Sequence, residues 1–425
     1  MNQYKTAFSE IASLPHPFSV NGGRYTQPPL DNMRRLNRFL GCPFEKLKII
    51  HVGGTNGKGS CVNMLASVLI SLGKKIGVYQ SPHIFDCRER ITINGQKIPV
   101  ADFCRIWQKQ KEYVKNHMTT YSEVLVSMAM RYFVENKVDI AIVEVGIGGM
   151  NDPTNICKHP IFSVITSIGF AHTQLLGCSL KEITHQKAGI IKQFAPVILG
   201  NVPAGVIPQI EEVAKVKRAR VIIAANYWKA LSRANQIKHD KWFDIQGDFQ
   251  QHNVKTVVTL LSLLAERRQF HCLPMPSSLV RNALRKTRER MSFRGRWEVV
   301  KHTPLVVFDV CSNVFAWHQI ILNLRRLKFK GLFDKLFIIM AFSELSTFDT
   351  IKLRKELACE AYYIVPYTCA TLDAESILAN LKVSGVSVPS LTSAIEKGLS
   401  MASKRDMIFI GGSHYLASQV LSFFK

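Results

Sequence analysis

The stretch KIIHVGGTNGKGS, Lys48 to Ser60, decides the fold. Ile49, Ile50 and Val52 make the apolar run of a buried strand. Gly53, Gly54, Gly57 and Gly59 then let the backbone bend tightly and bring its N–H groups close to a ligand. Lys58 places a fixed positive charge among them. From Cys61 to Leu72 apolar and small residues follow at helical spacing. The loop therefore sits on a helix N-terminus, whose unpaired N–H groups and positive dipole end suit phosphate.

Set against the phosphate-loop spacing G-x-x-x-x-G-K-[ST], the stretch departs twice. Only two residues separate Gly54 from the Gly57-Lys58 pair, and Gly59 is inserted before the hydroxyl of Ser60. The chain around it has 425 residues, too many for one ordinary core, so two domains are expected. With 47% hydrophobic and 20% charged residues it has a globular balance. No apolar run is long enough to cross a membrane. The first residues, MNQYKTAFSE, lack the basic and apolar regions of a secretion signal, so a cytoplasmic location is expected. Ten cysteines lie scattered without a C-x-x-C pair, the pattern of free thiols in a reducing compartment.

The formal charge of +24 admits two readings. One is nucleic-acid binding. The other is an enzyme handling ATP and a polyacidic substrate. Basic residues are spread over Lys215–Arg220, Arg281–Arg296 and Arg325–Lys335, with no compact block interleaved with aromatics and no nucleic-acid motif. The second reading is preferred.

Further strands of an α/β sheet are expected at Lys75–Tyr79, Ile140–Val145 and Pro160–Ile168, with others at Pro196–Leu199 and Arg220–Ala224. Phe18–Pro29 reads as loop and Leu30–Leu40 as a short helix. Arg88-Glu89-Arg90 and Asn94-Gly95 suggest a mobile loop and a hairpin. Val100–Asn136 reads as helical. Ser179 and Glu182 form a capping box for a helix to Ala188. Val254–Ala265 is a long apolar helix, and Lys238–Gly247 suggests a small sheet. Ser81, Glu144 and His172 each lie at or just beyond the carboxyl end of a strand, where ligands collect in open α/β sheets. A carboxylate such as Glu144 is either a partly solvated strand end or a Mg²⁺ ligand beside a bound phosphate. From residue 297 strand–helix alternation restarts, with strands at Leu305–Val310, Leu336–Ala341, Ala361–Val365 and Met407–Ile410, and helices at Phe315–Leu327, Ile351–Ala358 and Leu391–Lys404. This predicts a second, smaller parallel sheet.

Motifs in fixed order then identify a family. HVGGTNGKGS starts at His51, SPHIF at Ser81, ERITING at Glu89, EVGIGG at Glu144 and DPTN at Asp152. VITSIG follows at Val164, HTQLLG at His172, KAGIIK at Lys187, GRWEVV at Gly295 and GGSHYLASQ at Gly411. Over nearly its whole length the chain resembles the folylpolyglutamate synthase/dihydrofolate synthase family, within the Mur-type ATP-dependent amide ligases. The resemblance implies a P-loop ligase domain over 1–296 and a Rossmann-like α/β domain over 297–425. It implies that Lys58 and the loop residues Gly54, Thr55, Asn56, Gly57, Gly59 and Ser60 bind ATP phosphates. Asn253, Arg296 and Asp309 match further ATP contacts. Two Mg²⁺ sites are implied, one held by Ser81 and one by Glu144 and His172. Lys187 matches a lysine that is carbamylated in many members, and a monovalent cation is admitted. Asp152 and Tyr121 fall on the folate or pterin side. Lys58, His172 and Lys187 are the implied catalytic set.

The implied reaction ligates L-glutamate to dihydropteroate or reduced folates through an acyl phosphate. The implied partners are small molecules only, with neither nucleic acid nor membrane, and the chain is expected to be a monomer. Several positions depart from the family pattern. Ala171 stands where Asp is usual, Gln186 where Glu is usual, and Met150-Asn151 where Arg-Leu is usual. In the second domain Ser312 replaces a histidine expected against the nucleotide, a role His318 could take over, and an acidic cluster is reduced to Ser343-Glu344-Leu345. Other Mur-type ligases, of peptidoglycan or cyanophycin type, lack the SPHIF and ERITING pair in this arrangement. A basic P-loop ATPase acting on nucleic acid is the alternative from another class.

Overall fold

The computed structural model describes residues 2–16, 19–21, 24–26, 30–234, 243–267, 277–341, 359, 361–365 and 385–425. They divide into two units. The first comprises Met1–Asp244 and Gln250–Phe293; the second comprises Ile245–Phe249 and Arg294–Lys425.

The first unit is built on an eight-stranded sheet. Its strands are β3 (Ile49–Gly53), β4 (Ile76–Tyr79), β5 (Ile91–Ile93), β6 (Gln96–Lys97), β7 (Ile140–Glu144), β8 (Phe162–Ser167), β9 (Val197–Asn201) and β10 (Val221–Ile223). Their order is β10-β9-β8-β3-β7-β4-β5-β6. From β10 to β4 neighbours run parallel, while β5 and β6 add an antiparallel edge. Every residue of β3, β4, β7 and β8 is buried. Such strands, covered on both faces, read as continuous apolar runs, and each parallel pair needs a helical crossover. One crossover, Lys58–Ser71, is buried without a break from Ser60 to Leu69. It packs beneath the helices Gln250–Glu266 and Ser278–Arg285. A helix covered on all sides has to be apolar all round.

The expected helical stretch from Val100 is two helices, Val100–Asn116 and Tyr121–Glu135. Thr120 opens the second with a capping box to Glu123. Ser179 caps Leu180–Ala188 in the same way, as its sequence spacing predicts. The expected loop from Phe18 to Pro29 instead contains an antiparallel pair, β1 (Ser19–Asn21) with β2 (Arg24–Thr26). Asn21-Gly22-Gly23 is a hairpin signal, and its flanking residues favour strand.

The second unit carries a six-stranded sheet in the order β11-β12-β16-β13-β14-β15. These are β11 (Glu298–His302), β12 (Leu305–Asp309), β13 (Leu336–Ala341), β14 (Ala361–Ile364), β15 (Gly385–Ser387) and β16 (Met407–Gly412). All pairs are parallel except β11 with β12. The helices Val314–Phe329, Leu391–Met401 and Leu416–Phe423 belong to it, and Trp297, Trp317 and Phe409 share its core. The expected helix at 351–358, the segment 343–345 and residues 238–242 of the small sheet expected over 238–247 lie outside the described residues; the described remainder, 243–247, is not strand but an irregular run of bends, turned at Gly247 with φ +100°. Among the described residues every cysteine is free, and no helix is long and apolar enough to cross a membrane.

Candidate active site

Because β3, β4, β7 and β8 are parallel neighbours, their carboxyl ends lie on one sheet edge. The phosphate loop follows β3, Ser81 follows β4, Glu144 closes β7 and His172 lies beyond β8. The loop's shape is fixed by its strand neighbours. Gly54 has φ +140° and Gly57 φ +86°. A Cβ on Gly54 would stand 2.1 Å from Thr166 Oγ1, and one on Gly57 would stand 2.3 Å from Asn253 Oδ1. Only glycine fits either place. Asn253 Nδ2 donates to Gln250 Oε1 at 2.7 Å, which aims its carbonyl oxygen at the loop. Lys58 begins the helix and folds back, donating to Gly54 O at 3.1 Å and Thr55 O at 3.3 Å.

Two hydroxyls at the end of β8 brace this loop. Thr166 Oγ1 donates to Asn56 O at 2.7 Å, and Ser167 Oγ lies 2.9 Å from both Asn56 N and Asn56 O. Thr55 N donates to Ser167 O at 2.8 Å, and Thr55 Oγ1 pairs with the backbone of Gly169 at 3.1 Å. Sequence reasoning quoted Val164–Gly169 as a motif but gave Thr166 and Ser167 no role. The available signal was a hydroxyl pair ending an otherwise apolar strand. Replacing Ser167 with Ala removes one brace from the half-buried Asn56 backbone, a loss of about 0.5–1.5 kcal/mol. Ser167→Ala is therefore expected to raise KM for ATP by up to about tenfold while kcat changes less, as initial-rate measurements with varied ATP would read.

Glu144 is 3% exposed. Its Oε2 lies 3.7 Å from where a Cβ of Gly59 would stand, so the carboxylate reaches the phosphate loop. The glycine-rich turn after it is held by Asp152. Asp152 Oδ2 accepts from Gly146 N at 2.9 Å and Ile147 N at 3.2 Å, and Oδ1 accepts from Thr154 N at 3.0 Å. Burial raises the pKa of this carboxyl, against the lowering effect of those bonds. Asp152 thus works on its own loop. Ser81 Oγ is 3.9 Å from the place of a Cβ on Gly146, so Ser81 and the Glu144 turn adjoin.

His172 is in the left-handed region, φ +52°. Burial and then the charges of Lys58 and Lys187 hold its pKa down at about 4, which keeps the imidazole neutral near pH 7. Lys187, on the last turn of Leu180–Ala188, is 3% exposed. Burial, reinforced by Lys58, pushes its pKa well below the ordinary lysine value. Among the described residues no carboxylate forms an ion pair with it. The Lys58 charge thus bears on both His172 and Lys187.

Tyr121 lies away from the loop, among other groups. Arg90 sits over its ring at 5.4 Å, and Arg90 Nε donates to His83 Nδ1 at 2.9 Å. The Cys87 thiol is 3.6 Å from the Tyr121 hydroxyl. Arg296 and Asp309 belong to the second unit. There Asp309 Oδ2 accepts from Trp297 N at 2.6 Å, and Arg296 donates to Gly295 O at 3.0 Å. Both support the bend into β11.

Whether the first unit's residues suit Mg²⁺ is a question of donor chemistry. Among the described residues no three His, Cys, Asp or Glu side chains converge as a metal cage. Mg²⁺ needs none: it keeps several waters and takes one or two protein oxygens plus substrate phosphates. A buried carboxylate touching a phosphate loop, with a serine hydroxyl beside it, fits that requirement.

A family model, the Mur ligase middle domain, matches residues 52–284. The chain is 30% identical to a folylpolyglutamate synthase from Lacticaseibacillus casei over 319 residues, 68% of this chain and 70% of the relative. It is 31% identical to a dihydrofolate synthase/folylpolyglutamate synthase from Bacillus subtilis (strain 168) over 332 residues, 72% of this chain and 74% of the relative. A solved complex of a folylpolyglutamate synthase with AMPPCP and folate is 25% identical, with a TM-score of 0.79 covering 99% of this chain and 100% of that one.

Proposed function

This chain belongs to the folylpolyglutamate synthase/dihydrofolate synthase family, and we propose that it joins L-glutamate to dihydropteroate, to folates or to both through an acyl phosphate. It is an ATP-dependent glutamate ligase. The observation that carries the finer reading is the reach of the Glu144 carboxylate to the phosphate loop, with Lys58 in the same loop.

The N–H groups at the start of Lys58–Ser71 and the Lys58 ammonium bind the β- and γ-phosphates. Lys58 exchanges its two carbonyl acceptors for phosphate oxygens. Ser81, Glu144 and His172 are the residues that would hold Mg²⁺. When bound, the metal neutralises charge between the γ-phosphate and the attacking carboxylate. The substrate carboxylate oxygen bonds to the γ-phosphorus as the bond to the ADP oxygen breaks. The glutamate amine then attacks the acyl carbon, the bond to the phosphate oxygen breaks, and the amine proton leaves with water. His172, held neutral, serves as a ligand here, not as a base. The Lys187 amine, held neutral, can take up CO₂ and release a proton to form a carbamate, whose oxygens support the metal side. The enzyme is read as a cytoplasmic monomer with no nucleic-acid partner.

The test incubates the protein with ATP, Mg²⁺ and glutamate, offering dihydropteroate and tetrahydrofolate separately, and follows phosphate release with mass analysis of the products. Release that requires a pterin or folate acceptor, with a product heavier by one glutamyl group, is the expected result. Release stimulated by DNA or RNA alone would overturn the reading.

A further inference from the structure

A buried chain of hydrogen bonds links the central strand to the turn behind Glu144. His51 lies midway along β3 and is fully buried; Thr154 is 1% exposed. His51 Nε2 is 2.8 Å from Thr154 Oγ1. Thr154 Oγ1 donates to Asp152 Oδ1, which also accepts Thr154 N. Asp152 Oδ2 accepts Gly146 N and Ile147 N.

The proton directions close in one way. Backbone N–H groups only donate, and three of them converge on the Asp152 carboxyl, so it is the ionised acceptor. The Thr154 proton goes to Asp152. His51 must then donate through Nε2–H, which leaves Nδ1 as the bare nitrogen. Nδ1 is indeed buried without a partner. An unpaired buried nitrogen is costly, and an aliphatic side chain would fill the same strand position without it. The chain from His51 to Asp152 gives a reason for keeping it.

We propose that His51 is a positioning residue for the ligase reaction: through Thr154 it fixes the Asp152 carboxylate, and so the Gly146–Ile147 turn that follows Glu144 and adjoins Ser81. The inference rests on reading Glu144 and Ser81 as the metal side of the active site. It differs from a packing role because the hydroxyl and the ring N–H matter, not their volume. Groups that orient metal-binding residues from behind cost about 10–100-fold in activity or metal affinity when removed.

The test compares Thr154→Val, which keeps the shape and loses the hydroxyl, with Thr154→Ser, which keeps the hydroxyl. Steady-state kinetics and Mg²⁺-dependent binding of AMPPCP are both measured on the full chain. Thr154→Val is expected to lower kcat by about tenfold or more and to raise the Mg²⁺ midpoint, with KM for glutamate little changed; Thr154→Ser should stay within about twofold of wild type. An unchanged kcat and Mg²⁺ midpoint in Thr154→Val overturns the proposal. So does equal damage in Thr154→Ser. If Thr154→Val does not fold, His51→Gln, which can still donate, is compared with His51→Leu, which cannot; equal loss in the two also overturns it. The binding readout keeps the failures apart. A wild-type protein that binds AMPPCP and Mg²⁺ yet never consumes glutamate overturns the ligase reading, whereas the binding of AMPPCP by Thr154→Val still decides the relay.

Discussion

Lys58→Ala is expected to lower kcat by about 10²–10³-fold, the usual cost of deleting one fixed group that stabilises developing charge, while the chain stays folded. Lys58 is only half-buried, and its ammonium bonds to two carbonyls of its own loop. Those bonds contribute about 1 kcal/mol each to stability, so the thermal midpoint should move by only a few degrees. The loop itself is held by Thr166, Ser167 and Asn253 and does not depend on the lysine. What disappears, on the proposed reading, is the charge assigned to the γ-phosphate. The change also removes a cation that lowers the pKa of both His172 and Lys187, so the neutral forms of those groups become less favoured. Turnover within a few-fold of wild type would contradict the role given to Lys58.

Lys187→Ala is the second large effect, with kcat expected to fall by about 100-fold. A lysine 3% exposed, without a paired carboxylate among the described residues, is costly as a cation. As a neutral amine it is both tolerated and nucleophilic toward CO₂. Lys187→Arg should fail as well, because arginine cannot lose its proton at working pH. Bicarbonate should not rescue Lys187→Ala, which has no amine to modify. Acetate, a small carboxylate able to enter the vacated space, should restore part of the rate. Stability carries a second signature. The unfolded chain protonates Lys187 below about 10.5, whereas the folded chain resists it, so the unfolded state binds more protons and wild-type stability rises with pH in that range. Lys187→Ala loses that part of the slope. Full activity in Lys187→Ala would remove the carbamate from the mechanism.

The legible parts of this protein share one physical origin. Parallel strands buried on both faces are unbroken apolar runs, so β3, β7 and β8 stand out, and a polar residue at or just past the end of each run marks the carboxyl edge of the sheet. Glu144, Ser81 and His172 are found that way. Capping boxes at Thr120 and Ser179 are local, and Ser179–Glu182 is readable from spacing alone. The Thr166–Ser167 brace is not, because its partners lie more than a hundred residues away at Thr55 and Asn56. The same distance hides the His51–Thr154 contact. Asp152, matched to the pterin side, also has a second employment on the Gly146–Ile147 backbone that no spacing reveals. The strand β11 is an antiparallel edge half-buried against β12, and its sequence lacks the continuous apolar signal of its parallel neighbours.

The acyl phosphate is tested most directly by following oxygen. A pterin or folate substrate labelled with ¹⁸O in the reacting carboxylate is incubated with ATP, Mg²⁺ and glutamate, and the released phosphate is weighed by mass spectrometry. Attack of that carboxylate on the γ-phosphorus, followed by cleavage of the acyl–oxygen bond, must carry one labelled oxygen into each phosphate. Phosphate free of the label, alongside normal glutamylated product, would contradict the mechanism.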